Sequence, residues 1–74
     1  MADHDLDVRG LNCPLPILKT KKALNTMTSG QTLRVLATDP GAPLDFKAFS
    51  HQTGHRLLEF NETDGEYRFL IQKA

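Results

Sequence analysis

The stretch LDVRGLNCPLPILKTKKALNTMTSGQTLRVLA, residues 6–37, contains the signals of a strand, a helix and a second strand. Leu6 and Val8 alternate with polar residues, which predicts a short strand with one apolar face. From Pro14 the apolar residues recur at helical spacing, and Gly30 suits a left-handed position past the end of this helix. The alternation then returns and predicts a second strand, at Leu33, Val35 and Ala37.

The rest of the chain adds a second helix and two strands. Asp39-Pro40 predicts a helix start, because an acid suits the N-cap and proline suits the first helical position. Residues 55–60 predict a third strand with Leu58 and Phe60 on one face. Asp64-Gly65 is a tight-turn dipeptide and predicts a hairpin into a last strand. The alternating residues of that strand are Tyr67, Phe69 and Ile71.

The predicted order is β-α-β-α-β-β, an α+β fold with a four-stranded mixed sheet. Two short helices cannot cover both faces of such a sheet, so we expect a two-layer sandwich with both helices on one face. Residues 1–74 are expected to form a single domain, since domains begin at about 50 residues. The uncovered face would leave room for a partner, and we expect it to carry Arg34, Leu36, Arg68, Leu70 and Gln72.

Composition and charge exclude several classes of protein. Lys and Arg number 9 and Asp and Glu number 9, so the formal net charge is zero and a polybasic nucleic-acid binder is not indicated. No apolar run approaches the ~20 residues that span a bilayer, and residues 1–9 carry no secretory signal. The single cysteine excludes an intramolecular disulfide and a multi-cysteine zinc site. We therefore expect a cytoplasmic protein with no metal, no cofactor, and no DNA or membrane partner.

The one cysteine, Cys13, lies where the first strand passes into the first helix. Pro14 suits the first helical position, which puts Cys13 at or beside the N-cap, where the helix dipole lowers the pKa of a thiol. Pro14 and Pro16 lack N–H groups, so the nearest donor is the N–H of Leu15. We expect a moderately activated, exposed thiol. The alternative is a small buried residue of the core, since free cysteines are commonly buried.

Other polar residues have structural explanations as well as functional ones. Asp39 is explained most simply as a helix cap, although both helix starts should lie at strand ends and so near Cys13. Lys19, Lys21 and Lys22 form either a solvated helix face or a basic docking patch. A Cys–His hydrolase or a zinc site has little support from the three histidines, which are His4, His51 and His55.

The segment Gly10–Pro16 resembles the hallmark of the TusA/SirA (YedF-like) family of small sulfur carriers, a glycine followed after two residues by Cys-Pro-x-Pro at a helix start. The resemblance covers essentially the whole chain. Some family members linked to tRNA thiolation carry Arg before the cysteine and an acid between the prolines, where this chain has Asn12 and Leu15. The other matching positions are Asp7, Gly30, Leu33, Thr38-Asp39-Pro40 and Asp64-Gly65.

The resemblance implies a fold similar to the C-terminal domain of bacterial translation initiation factor three. It also implies that Cys13 accepts sulfane sulfur as a persulfide from a cysteine desulfurase or a rhodanese-type donor. The sulfur would pass to an acceptor cysteine, such as one in a DsrE-type complex, for tRNA 2-thiolation, molybdenum-cofactor supply or cytoplasmic sulfur oxidation. We expect a supporting role for Gly10, Pro14, Pro16 and Asp39, and contact with a partner for Lys19 and Lys22.

Two other functions stay open on the residues alone. The same fold, with the lysines of its first helix, would suit an RNA-binding or regulatory module, whose affinity would then depend on salt. An exposed thiol would also suit a redox switch that forms intermolecular disulfides, although a thioredoxin-like protein would carry a second cysteine. We expect a monomeric carrier with transient partners rather than a turnover enzyme.

Overall fold

Two strand–helix units and a final hairpin make up the chain. The computed structural model describes residues 2–74, and its elements follow the predicted order β-α-β-α-β-β. Within residues 2–74, neither helix has the length and apolar character needed to cross a membrane. The elements are β1 (His4–Val8), α1 (Leu15–Asn25), β2 (Thr32–Ala37), α2 (Ala42–Thr53), β3 (Arg56–Thr63) and β4 (Glu66–Gln72).

The four strands form one mixed sheet in the order β1-β2-β4-β3. β1 and β2 are parallel, with α1 crossing over between them, and β4 lies antiparallel between β2 and β3. Because β1 and β2 are parallel, their carboxyl ends lie at the same end of the sheet. The starts of α1 and α2, which follow these strands, are therefore brought together there.

Both helices pack on one face of the sheet, as predicted, and the core lies between the two layers. Phe46 of α2 stacks on Phe69 of β4, with ring centroids 4.3 Å apart. Burial of this apolar surface is the main stabilising contribution, at roughly 25 cal/mol per Å² removed from water. The buried apolar residues are Val8, Leu24, Met27, Leu33, Val35, Ala37, Ala42, Phe46, Phe49, Phe69 and Ile71.

On the other face of the sheet, no helix formed by residues 2–74 covers the strands. Arg34 and Arg68 are exposed there, and Leu36, Leu70 and Gln72 are half-buried. In the β2–β4 register each of these residues alternates with a residue that faces the helices. The face is thus the mixture of polar and apolar side chains that the alternation predicts.

β3 differs from the prediction in which residues face the core. Its register with β4 shifts between Leu57 and Glu59, so Leu58 is the extra residue of a β-bulge. As a result, Leu57 packs against the core, on the same side as Phe60, whose ring lies 5.3 Å from that of Phe69. Leu58 is 42% exposed. The alternation predicts Leu58 beside Phe60, but Leu57 packs against the core instead, because strict alternation does not allow for a bulge.

Two of the predicted turns have the backbone conformation expected of them. Asp64 and Gly65 both have positive φ, 51° and 79°, as a two-residue hairpin turn requires. Gly30 has a φ of 91°, but it lies in the turn before β2, because α1 already ends at Asn25. There the N–H of Gly30 donates to the carbonyl oxygen of Lys73 at 2.9 Å, which ties this turn to the end of the chain.

Candidate functional site

Cys13 is exposed and lies just before the first turn of α1. Pro14 occupies the N-cap position and Leu15 is the first helical residue, so the helix begins one residue later than predicted. Pro16 is buried and anchors this turn to the core. The peptide bond between Cys13 and Pro14 is cis. The thiol therefore stands on the surface, as expected, and not in the core.

The first turn of α1 gives the thiol little hydrogen-bond support. The N–H of Leu15, which was the expected donor, donates instead to the carbonyl oxygen of Asn12 at 2.9 Å. Pro14 and Pro16 have no N–H to offer. Although Cys13 lies near the positive end of the α1 dipole, these first residues of the helix offer no free N–H that could stabilise its thiolate.

The charges that act on Cys13 come mainly from α2. The carboxylate of Asp45, in the first turn of α2, acts most strongly on the thiol and raises the pKa of Cys13. Desolvation and the negative charges of Asp45 and Asp39 raise that pKa further. A neighbouring carboxylate favours the neutral thiol over the thiolate. The expectation of a moderately activated thiol is not met, because these carboxylates raise the pKa of Cys13.

Asp39 is not the helix cap that its sequence position predicts. The N-cap of α2 is Gly41, and no side chain caps this helix. The backbone carbonyl of Asp39, rather than its carboxylate, accepts the N–H of Ala42 at 2.9 Å. Because the helix starts only after Pro40 and Gly41, the side chain of Asp39 does not cap it. Its Oδ2 atom is buried and has no hydrogen-bond partner within residues 2–74.

Gly41 separates the two carboxylates. A Cβ at this position would lie 3.3 Å from Oδ2 of Asp39 and 3.7 Å from Oδ2 of Asp45. Both acids therefore converge on one point at the start of α2. A larger residue at position 41 would press against the Asp39 carboxylate, so glycine leaves the space that this arrangement needs.

The junction between β1 and α1 is tied to neighbouring elements. The N–H of Gly10, whose φ is 81°, donates to Oγ1 of Thr38 at 2.8 Å and so links the two strand–helix junctions. Arg9 donates to Asp7 at 2.8 Å and to Glu66 at 3.2 Å. The hydrogen bond from Arg9 lowers the pKa of Asp7 to about 2. Arg9 is thus engaged by carboxylates other than those beside the thiol.

Large apolar side chains are exposed at the starts of both helices. Leu15 and Leu18 of α1 are 46% and 54% exposed, and Leu44 of α2 is 77% exposed. Exposed apolar groups gathered in one region indicate contact with another molecule. This end of the protein is therefore suited to protein–protein contact around the thiol.

The structure divides the predicted lysine patch of α1. Lys19 and Lys22 share a groove of about 280 Å³ between α1 and β1, whereas Lys21 is exposed outside it. Two lysines rather than three thus border a surface that a partner could occupy. The groove is lined by Leu6, Lys19, Lys22, Ala23 and Thr26.

The histidines are not assembled with Cys13. His4 begins β1, His51 lies in the last turn of α2 and His55 follows that helix, so each lies at the opposite end of its element from the thiol. His55 accepts the N–H of Ala74 at 3.0 Å, and desolvation lowers its pKa. Among residues 2–74, no three His, Cys, Asp or Glu side chains are grouped closely enough to hold a metal ion.

Asp45 is the residue near the thiol that the sequence did not indicate. Its signal was an acid in the first turn of a helix that starts at the same end of the sheet as Cys13. An acid at that position is equally well explained by the dipole of its own helix. Only the packing of α2 beside α1 shows that this carboxylate acts on the thiol.

Comparison with known proteins gives one consistent family. The family model described as Sulfurtransferase TusA matches residues 4–73. The chain is 59% identical over 76 residues to the sulfur carrier protein TusA of Allochromatium vinosum, with both chains covered in full. It is 57% identical over 72 residues to a putative sulfur carrier protein of Neisseria meningitidis, covering 97% of each chain. The crystal structure of a SirA-like protein from Desulfitobacterium hafniense matches with a TM-score of 0.82 at 25% identity, over 93% of this chain and 95% of that one.

Proposed function

This chain belongs to the TusA family of sulfur carriers, and we propose that Cys13 is the residue that carries the sulfur, as a persulfide. The observation that supports this most directly is the exposure of the chain's only cysteine at the start of α1. A sulfur atom bound there is accessible to a second protein. Because the chain has no other thiol, no intramolecular attack can expel the sulfur as hydrogen sulfide.

The chemistry requires one thiol and two successive exchange reactions. In loading, the Cys13 thiolate attacks the terminal sulfur of a donor persulfide, the donor's S–S bond breaks, and the donor cysteine leaves as a thiolate. In release, an acceptor thiolate attacks the terminal sulfur on Cys13, and Cys13 leaves as a thiolate. The sulfur moves without a net change in oxidation state, so neither step needs an external oxidant or reductant.

The carboxylates beside Cys13 affect the two steps unequally. The raised pKa of Cys13 lowers the thiolate fraction at neutral pH and therefore slows loading. After loading, the same carboxylates favour a protonated persulfide over its anion. An incoming thiolate attacks the protonated form more readily, because it meets no like charge. The raised pKa also makes the departing Cys13 thiolate a poorer leaving group, so both loading and release depend on partners that change the surroundings of the thiol.

The proposed partners are proteins. We assign the donor role to a cysteine desulfurase or a rhodanese-type protein, and the acceptor role to a cysteine of a DsrE-type complex, in tRNA 2-thiolation or cytoplasmic sulfur oxidation. The α1 groove that contains Lys19 and Lys22 is a proposed contact surface for one of them. Gly10 and Pro16 would hold the thiol-bearing loop in place, through the Thr38 hydrogen bond and through burial.

Intact-mass spectrometry tests this function. The protein is incubated with a cysteine desulfurase and cysteine, in parallel with a Cys13→Ser variant whose fold is checked by circular dichroism. We expect wild type to gain one or more sulfur atoms, reversibly on addition of a reductant, and the variant to gain none. Covalent loading of Cys13→Ser would contradict the assignment. Failure of wild type to load from several active donors would contradict the function itself.

A further inference from the structure

A second groove lies on the opposite side of the molecule from the α1 groove, between α2 and β3. We propose that this α2 groove is the docking site for an acidic, amphipathic segment of the sulfur-donor protein; the proposal rests on the carrier function above. The groove has a volume of about 490 Å³. It is lined by Leu44, Lys47, Ala48, Ser50, His51 and Leu57.

The groove follows one side of α2 along its length. Leu44, Lys47, Ala48 and His51 recur at spacings of three and four residues, so their side chains lie on the same side of the helix. This is not the side that packs on the sheet, because the buried residues of α2 are others. They are Ala42, Phe46 and Phe49.

The floor of the groove is apolar and accessible. Leu44 is 77% exposed, Ala48 is exposed, and Leu57 is half-buried on the opposite wall. β3 is an edge strand, so no other strand of the described part of the chain closes this side of the sheet. An apolar surface of this kind gains free energy when another protein segment covers it.

The charges of the groove favour an acidic occupant. Lys47 forms no ion pair with any carboxylate within residues 2–74, and His51 lies one helical turn further along the same side. A partner's carboxylate would supply the missing counter-charge at this rim. The apolar floor beside Lys47 favours a protein segment over a nucleic acid, whose phosphates would leave Leu44 and Leu57 uncovered.

The position of the groove points to the donor rather than to the acceptor. Leu44, at one end of the groove, is adjacent in sequence to Asp45, whose carboxylate favours the neutral thiol of Cys13. The donor is the partner that meets Cys13 as a thiol, and the thiol must lose its proton before sulfur can be loaded. A segment seated on Leu44 contacts the turn that carries this carboxylate.

Matched variants separate docking from chemistry. Lys47→Glu reverses the charge of the rim, and Leu44→Gln removes an apolar side chain that contributes little to the fold because it is 77% exposed. Lys21→Glu is the control, since Lys21 is exposed and outside both grooves. For each protein we would measure the initial rate of sulfur transfer from a cysteine desulfurase charged with labelled cysteine. The same rate would be measured with glutathione persulfide, which needs no docking.

We expect Lys47→Glu and Leu44→Gln to lower kcat/KM with the desulfurase by about tenfold, the effect of losing one well-placed contact. Loading from glutathione persulfide should be unchanged, and Lys21→Glu should behave as wild type with both donors. Added salt should slow desulfurase transfer to wild type more than to Lys47→Glu, because salt screens the charge that the variant lacks.

Several results would overturn the proposal while leaving the carrier function intact. One is an equal rate of transfer from the desulfurase to wild type and to Lys47→Glu. Another is a loss of rate in Lys47→Glu that is as large with glutathione persulfide as with the desulfurase, which would indicate a direct effect on Cys13. Reduced binding of a tRNA mixture with unchanged sulfur transfer would make the groove an RNA surface. Loss of a homodimer in sedimentation, again with unchanged transfer, would make it a self-contact. Failure of wild type to load from either donor would contradict the carrier function instead.

Discussion

The two strand–helix junctions at one end of the sheet differ in whether their carboxylates are neutralised. The first junction connects β1 to α1, and the second connects β2 to α2. At the first junction Arg9 neutralises Asp7, and the pKa of that carboxyl falls to about 2. At the second junction Asp39 and Asp45 form no ion pair within residues 2–74, and they raise the pKa of Cys13. The difference shows that the start of a helix does not by itself decide the reactivity of a thiol. Here the charges supplied by the adjacent junction raise the pKa of Cys13 although it lies beside a helix start.

The largest expected effect comes from removing the anchor of the second junction. Phe46 follows Asp45, is fully buried and stacks on Phe69 with centroids 4.3 Å apart. Phe46→Ala should lower the free energy of unfolding by about 3–5 kcal/mol, measured by urea denaturation. Leu44→Ala, in the same turn but 77% exposed, should change it by less than about 0.5 kcal/mol. Equal costs for the two variants would contradict the packing of this turn.

The next effect concerns the thiol itself. Asp45→Asn removes a negative charge that favours the neutral thiol, so the pKa of Cys13 should fall. The rate of alkylation by iodoacetamide, measured as a function of pH, should rise severalfold at neutral pH, and its profile should move to lower pH. Asp64→Asn, in the β3–β4 hairpin, is the control and should leave the profile in place. A profile that does not move in Asp45→Asn would show that Asp45 does not act on the thiol.

The smallest effect is expected at the first junction. The pKa of Asp7 is lowered from 3.8 to about 2, so this carboxylate stabilises the fold above 3.8, and the contribution is lost as pH falls toward 2. Asp7→Asn lacks that titration. Denaturation midpoints of wild type should therefore fall more steeply than those of the variant over this range. The difference should be small and should shrink in high salt, because solvent screens an exposed pair. Parallel pH curves would contradict the assigned role of Arg9.

Most of the fold could be predicted because its signals are local. The alternation in β2 and β4, the helical spacing after Pro14 and the Asp64-Gly65 turn each depend on residues close in sequence. The faces of β3 could not be read in this way. The bulge at Leu58 is a property of the pairing with β4, and it reverses which leucine faces the core.

The candidate site was predictable in position but not in electrostatics. The single cysteine between strand and helix signals indicated an exposed thiol, and the structure confirms that exposure. The effect of Asp45 could not be predicted, because it depends on the packing of α2 beside α1 across many residues of chain. The capping role predicted for Asp39 fails for a related reason: the helix starts further along the chain, and Gly41 takes the N-cap position.

The bulge in β3 has a further consequence, for solubility. β3 is an edge strand that carries two partly exposed apolar residues, Leu58 and Phe60, at 42% and 45%. A straight strand of this composition is a template on which another molecule's strand adds, and repeated addition gives aggregates. The extra residue at Leu58 breaks the regular spacing of the free backbone groups and so disfavours such growth. The bulge thus lowers the tendency of this edge to pair with another molecule, although Leu58 and Phe60 are partly exposed on it.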